Sequence, residues 1–184
     1  MIFKIIWIIW CASEILLNRL MHSGSNDKKG QDKGSIRFIW IAIALAIFSG
    51  IIFSTYVKIL IGNQIIIPYV GLALVVVGMI LRFISIWTLG RFFTVDVTIR
   101  DDHKIKKDGV YRFIRHPSYA GSLISFIGFG ISLNNWLSLI SVTILITIAL
   151  IYRIRIEEKL LTDHFGADYL DYQNKTYRLI PWIY

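Results

Sequence analysis

Residues 119–152 read YAGSLISFIGFGISLNNWLSLISVTILITIALIY, an apolar run without one acidic or basic side chain. A spanning helix needs about 20 mostly apolar residues, so this run is long enough for two. It is interrupted at residues 133–136, LNNW, where paired asparagines favour a turn over continued helix. The reading is a helical hairpin, and Gly128 and Gly130 inside its first arm suit close helix packing rather than a nucleotide loop. Three more apolar runs lie upstream, at residues 2–20, 36–61 and 68–89, separated by polar stretches. Together they predict an all-α, polytopic membrane helix bundle of about five transmembrane helices. The first run reads as a retained helix rather than a signal peptide. It begins with only Lys4 as a charged start, continues past typical signal length and lacks a small-residue cleavage site.

Composition agrees. The 184 residues are 55% hydrophobic and 17% charged, and mean hydropathy is +0.61, too apolar for a water-soluble domain of this length. The net charge of +8 does not indicate nucleic acid, because the basic residues sit between and at the ends of the apolar runs. Residues 21–35 carry Lys28, Lys29 and Lys33; residues 90–117 carry seven basic side chains from Arg91 to Arg115; the tail after Tyr152 carries Arg153, Arg155, Lys159, Lys175 and Arg178. The stretch 62–67 and the Asn134-Asn135 turn are uncharged. Five alternating spans then put every basic segment on the cytoplasmic side and the N-terminus outside. The stretch SGSNDKKGQDKGS reads as a flexible, solvated loop, and the single Cys11 can form no internal disulfide.

Polar side chains crowd two places on that face. In residues 109–122, GVYRFIRHPSYAGS, the residue before Pro117 is pushed out of helical geometry, while Pro117 suits the first position of a helix. Backbone amides in the first turn, around Ser118 and Tyr119, are then available to cradle a carboxylate or phosphate. A cap with an interfacial tyrosine and snorkelling arginines would also account for the motif taken alone. The second cluster begins at the end of the fifth span, where Arg153 and Glu157 are four residues apart on one helical face. A surface ion pair there would contribute only about 0.3 to 0.5 kcal/mol, and the acid lies C-terminal to the base, the weaker order. Charged residues at the mouth of a membrane bundle are instead candidates for ligand binding.

The combination HKIKKDGVYRFIRHPSYAG, followed one hairpin later by RIRIEEKLLTDHFGADYLDYQNKTYRLIP, resembles the isoprenylcysteine carboxyl methyltransferase family, bacterial and archaeal members included. The motifs are RHPxYxG opening a helix, then paired glutamates followed by Phe-Gly and Tyr-x-x-Tyr. The resemblance divides the chain into residues 1–94, the first three helices and their loops, and residues 95–184, the methyltransferase region. It implies an S-adenosylmethionine-dependent methyltransferase whose cofactor lies between the loop before span four, the start of that span and the C-terminal tail. The implied cofactor contacts are His103, Lys104, Ile105, Lys106, Tyr111, His116, Pro117, Ser118, Tyr119 and Glu157, while Arg153 faces the methyl acceptor. Where relatives often carry aliphatic or small residues after the first loop histidine, this chain has Lys104, Lys106 and Lys107, which shifts the contacts expected there to backbone.

The chemistry fits that implication. Methyl transfer from a sulfonium is an in-line displacement, so the protein mainly aligns donor and acceptor and excludes water. A carboxylate acceptor, with a reference pKa of about 3.3 to 4.3, needs no general base near neutrality. Arg153 would orient it, Glu157 would accept from the cofactor's ammonium or ribose, and the faces of Tyr111 and Tyr119 would attract the sulfonium. Glu158, turned about 100° from Glu157, is expected to face solvent or the loop. The acceptor that the resemblance implies is a lipophilic, isoprenylcysteine-like carboxylate entering from the bilayer among membrane lipids. Other readings are a phospholipid or isoprenoid methyltransferase, a nicotinamide-dependent isoprenoid reductase, or a non-catalytic membrane protein. No metal site is expected. The expected location is a prokaryotic inner membrane, with the active site facing the cytoplasm.

Overall fold

A computed structural model of the chain describes residues 2–20, 34–90, 93 and 104–181. His103, the 94/95 boundary and most of the first basic loop lie outside the described residues. Six α-helices follow in order: α1 (Ile2–Leu20), α2 (Ser35–Tyr56), α3 (Ile66–Leu89), α4 (Pro117–Ser132), α5 (Trp136–Phe165) and α6 (Ala167–Lys175), with a 3-10 turn at Gly109–Arg112. Three of them, α2, α3 and α5, are long and apolar enough to cross a membrane. Their outward surfaces fit a lipid solvent, with Phe48, Ile80, Trp87 and Ile148 all exposed.

The second apolar run stops being helical earlier than its composition suggests. After Tyr56 the chain is extended, and Leu60 bridges to Asn135. The cause is the asparagine turn. Asn134 adopts a left-handed conformation (φ 48°), which asparagine tolerates better than most residues. Its side-chain amide exchanges two hydrogen bonds with the backbone of Gly62, each 3.2 Å. Asn135 caps α5 by accepting from the Ser138 amide at 3.1 Å and donates to the Val57 carbonyl. The α2–α3 connection, which carries Lys58, and the uncharged asparagine turn thus meet at one end of the bundle.

Close approach is bought by glycine in the α3–α4 pair. A Cβ at Gly71 would lie 2.3 Å from the Ser132 backbone nitrogen, one at Gly78 2.5 Å from the Gly121 carbonyl, and one at Gly128 2.6 Å from the Val75 nitrogen. Each pair of glycines, Gly71 and Gly78 on α3 and Gly121 and Gly128 on α4, is spaced by seven residues, two helical turns. Ser125 Oγ donates to the Val75 carbonyl at the same seam. On the other side of the core, α5 meets α2 where Ser138 Oγ donates to the Gly50 carbonyl at 2.7 Å. Trp10 of α1 closes the centre, 2% exposed and 4.7 Å from the ring of Phe126.

α4 has 16 residues, about 24 Å at 1.5 Å per residue, against a hydrocarbon thickness of about 30 Å. Pro117 sets its first position and the chain before it is not helical. The polar motif ahead of Pro117 is consequently held short of one end of the bundle, next to the longer α5.

Candidate functional site

The site lies at the end opposite the asparagine turns, where the start of α4, the far end of α5 and the C-terminal tail converge. The tail runs alongside residues 113–116. Ile114 and Tyr177 form a parallel bridge, Arg115 N–H donates to the Tyr177 carbonyl at 2.8 Å, and His116 N–H donates to the Arg178 carbonyl at 3.1 Å. This clasp fixes the His-Pro step before α4 begins.

Three of the expected residues form one chain of hydrogen bonds. Tyr119 Oη donates to Glu157 Oε2 at 2.7 Å and accepts from Arg153 Nε at 3.2 Å. The four-residue spacing of Arg153 and Glu157 does bring both to Tyr119. Arg153 is 3% exposed and also donates to Ser35 Oγ at the start of α2, whereas the Glu157 side chain keeps 29% of its exposure. His116 is buried with its ring stacked on Tyr119, centroids 5.6 Å apart and planes 16° apart, so it covers one of the two faces of that tyrosine. His116 Nδ1 stands 3.9 Å from Glu157 Oε1.

The amides at the start of α4 differ from expectation. The Tyr119 and Ala120 N–H groups both donate to the His116 carbonyl, at 3.1 and 3.0 Å, so the Tyr119 amide is engaged within the turn. Ser118 is held instead through its oxygens, its carbonyl and Oγ accepting from Arg82 Nη1 at 3.3 and 3.0 Å. Arg82 in turn lies 2.9 Å from Glu14 Oε1 of α1, a close ion pair whose Nε–H is not aimed along the contact. Tyr111 is buried, donates to the Ser85 carbonyl at 3.3 Å, and receives a hydrogen bond on its own carbonyl from Tyr172 Oη at 2.6 Å. Burial, with the charge of Glu157 adding to it, pushes the Tyr111 hydroxyl above its ordinary value. Lys104 is exposed, Ile105 and Lys106 are half-buried, and Lys106 pairs with Asp108 at 3.1 Å.

Glu158 is more enclosed than a solvent-facing residue. Expected at the solvent or the loop, it does meet the loop, through Arg115 and His116, but is 5% exposed and joins three nitrogen-bearing side chains: Oε1 takes Arg115 Nε at 2.9 Å and His116 Nε2 at 3.3 Å, and Oε2 takes Arg178 Nε at 2.8 Å. The 100° turn between adjacent glutamates is correct, but the side that it reaches is covered by the tail. Arg82, Glu14 and Ser35 are further polar members that the sequence reading passed over. The first two carried a signal, as isolated charges inside apolar runs. Ser35 carried none, since it is one serine among several in a polar loop. Among the described residues no cluster of His, Cys, Asp and Glu could hold a metal ion.

Known proteins resemble this chain in sequence and fold. Residues 71–163 match the isoprenylcysteine carboxyl methyltransferase (ICMT) family. A protein of Oryza sativa subsp. indica named "Probable protein-S-isoprenylcysteine O-methyltransferase" is 37% identical over 119 residues, 64% of this chain and 62% of its own length. The "Protein-S-isoprenylcysteine O-methyltransferase" of Saccharomyces cerevisiae is 39% identical over 115 residues, covering 61% of this chain and 48% of the yeast protein. The chain therefore spans about half to three fifths of the length of these relatives. A solved structure described as the eukaryotic intramembrane Ras methyltransferase ICMT superposes with a TM-score of 0.67 at 32% identity, over 78% of this chain and 52% of that one.

Proposed function

We propose that this chain, which belongs to the isoprenylcysteine carboxyl methyltransferase family, transfers a methyl group from S-adenosylmethionine to the carboxylate of a lipophilic, isoprenylcysteine-like acceptor. One observation carries the reading beyond family membership. The Arg153–Tyr119–Glu157 chain joins a buried cation to a half-open carboxylate through one hydroxyl, at the end of the bundle where α4 starts late. A cation and an anion held that close suit two ligands of different charge that must meet.

The residues fit the cofactor. Glu157 has one oxygen held by Tyr119 and the other facing His116, as an acceptor for an ammonium or ribose hydroxyl requires. Bound there, S-adenosylmethionine would supply an electrophilic methyl group on a sulfonium centre. The ring of Tyr119, half-buried and stacked on His116, would contribute about 0.5 to 2 kcal/mol if the sulfonium met its face. Arg153, fixed by Tyr119 and Ser35, orients the acceptor carboxylate, and no base is needed to ionise it. The short α4 lets a lipid-borne group reach this level from between helices while the polar end meets a water-soluble cofactor.

In the same reading α1 to α5 all span the bilayer, the short α4 included, and the site faces the cytoplasm. The charge asymmetry between the ends supports it: the connection 57–65 and the asparagine turn together carry one basic residue, Lys58, and lie away from the basic residues within 104–115 and 175–178.

The test is titration of the purified protein in detergent with S-adenosylmethionine and with NADPH, followed by transfer of labelled methyl to an S-prenylcysteine with a free carboxyl. Binding of S-adenosylmethionine and a base-labile methyl ester are expected. Binding of NADPH alone would support a reductase and overturn the reading; methylation only of an amine lipid, tracking amine ionisation with pH, would reassign the acceptor.

A further inference from the structure

Glu157 and Glu158 are neighbours on α5 with opposite surroundings. Glu157 is partly open and touches one hydroxyl, whereas Glu158 is enclosed by Arg115, His116 and Arg178. Arg115 extends the enclosure, donating through Nη1 to the carbonyls of Gln173 and Thr176. The main chain of His116 is already fixed by the tail, and its ring lies flat against Tyr119. Which edge of the ring carries the proton is then decided by Glu158. A carboxylate only accepts, and of the two ring nitrogens only Nε2, 3.3 Å from Glu158, is within hydrogen-bond reach of one, Nδ1 being 3.9 Å from Glu157; Nε2 is then the donor, and a ring with a single N–H leaves Nδ1 as the acceptor.

Nδ1 points toward Glu157 Oε1 at 3.9 Å. Two acceptors facing each other at that distance repel unless a donor stands between them or beside both. We propose that Glu158 is a positioning residue: by holding His116 Nε2–H it turns Nδ1 toward Glu157, so that the two acceptors together take one N–H or O–H donor of the bound cofactor, its ammonium or a ribose hydroxyl. The division of work explains why two adjacent glutamates occupy this helix. One neutralises the protein's own cations and sets the ring, leaving the other available to the ligand. The inference rests on the reading of the site as an S-adenosylmethionine site.

A double-mutant cycle on the full chain in detergent tests it, with S-adenosylmethionine affinity measured calorimetrically for wild type, Glu158→Gln, His116→Ala and the double variant. Glu158→Gln is expected to weaken binding about tenfold, since its amide can present a donor to Nε2 and favour the wrong tautomer. The double variant should be no weaker than His116→Ala alone, because Glu158 acts through the ring. Multiplying effects, or an unchanged Glu158→Gln, would overturn the proposal. If Glu158→Gln does not fold, the 15N shifts of the wild-type imidazole above its titration, identified by loss of the signal in His116→Asn, decide the matter. A proton on Nε2 supports the proposal and one on Nδ1 overturns it. Failure of wild type to bind S-adenosylmethionine would instead defeat the functional reading, and the tautomer measurement would still judge the positioning of the ring.

Discussion

Gly121 offers the most direct test of how the fold places the site. It is the fifth residue of α4, just past the first turn and the His-Pro-Ser-Tyr run, facing α3. A Cβ there would come within 2.7 Å of both the Arg82 nitrogen and the Gly78 carbonyl, and within 3.0 Å of Arg82 Cβ. Ordinary contact begins near 3.4 Å, so Gly121→Ala demands a movement of about 0.7 Å, and the obstructing atoms are mainly backbone. Arg82 holds Ser118 and so couples the seam to the site. Overpacking of this kind typically costs about 1 to 3 kcal/mol, offset in part by the better helix propensity of alanine, about 1 kcal/mol. A displacement near 1 Å at a reacting geometry can cost about a hundredfold in rate. Gly121→Ala should therefore lower methyl transfer at least tenfold while losing only a few degrees of thermal stability in detergent. Gly62→Ala is the control, because its Cβ would meet only the Ile67 side chain, at 3.3 Å. Wild-type activity and stability in Gly121→Ala would show that the seam does not set the position of the first turn of α4.

Arg153→Ala should weaken use of the acceptor strongly and change S-adenosylmethionine affinity only a few-fold; equal loss of both, by calorimetry and acceptor kinetics, would refute its assignment. Tyr172→Phe should destabilise the protein by about 1 to 3 kcal/mol by leaving the buried Tyr111 carbonyl without its donor, as read from melting in detergent. Burial pushes the Tyr172 hydroxyl up to about 12, so the folded protein holds this proton more tightly than the unfolded chain does. Its contribution is complete below pH 10 and lost as pH rises toward 12; wild type should lose stability across that window more steeply than Tyr172→Phe. In a Cys11→Ser background, cysteine at Asn63 should be labelled by an impermeant reagent from outside the cell and cysteine at Lys107 only from inside; labelling of Lys107 from outside would refute the orientation.

Sequence alone determined that the chain is a helical membrane protein, and it located the asparagine turn and the His-Pro start of α4. These depend on local properties: hydropathy along one helix, the conformational limits imposed by proline, and the taste of asparagine for turns. It also grouped Arg153 with Glu157, because a four-residue spacing fixes a shared face whatever packs against it. What that face meets was not legible. Adjacent residues on a helix are separated by about 100°, and whether either direction is solvent depends on a tail some twenty residues away. Tertiary structure placed that tail over Glu158, enclosed between loop and tail a carboxylate expected at the solvent or the loop, and engaged the Tyr119 amide within the turn. It also brought Arg82, Glu14 and Ser35 to the site from three separate helices. Glycines at seven-residue spacing permit such an approach, but only the packed pair of helices fixes which backbone atoms they admit.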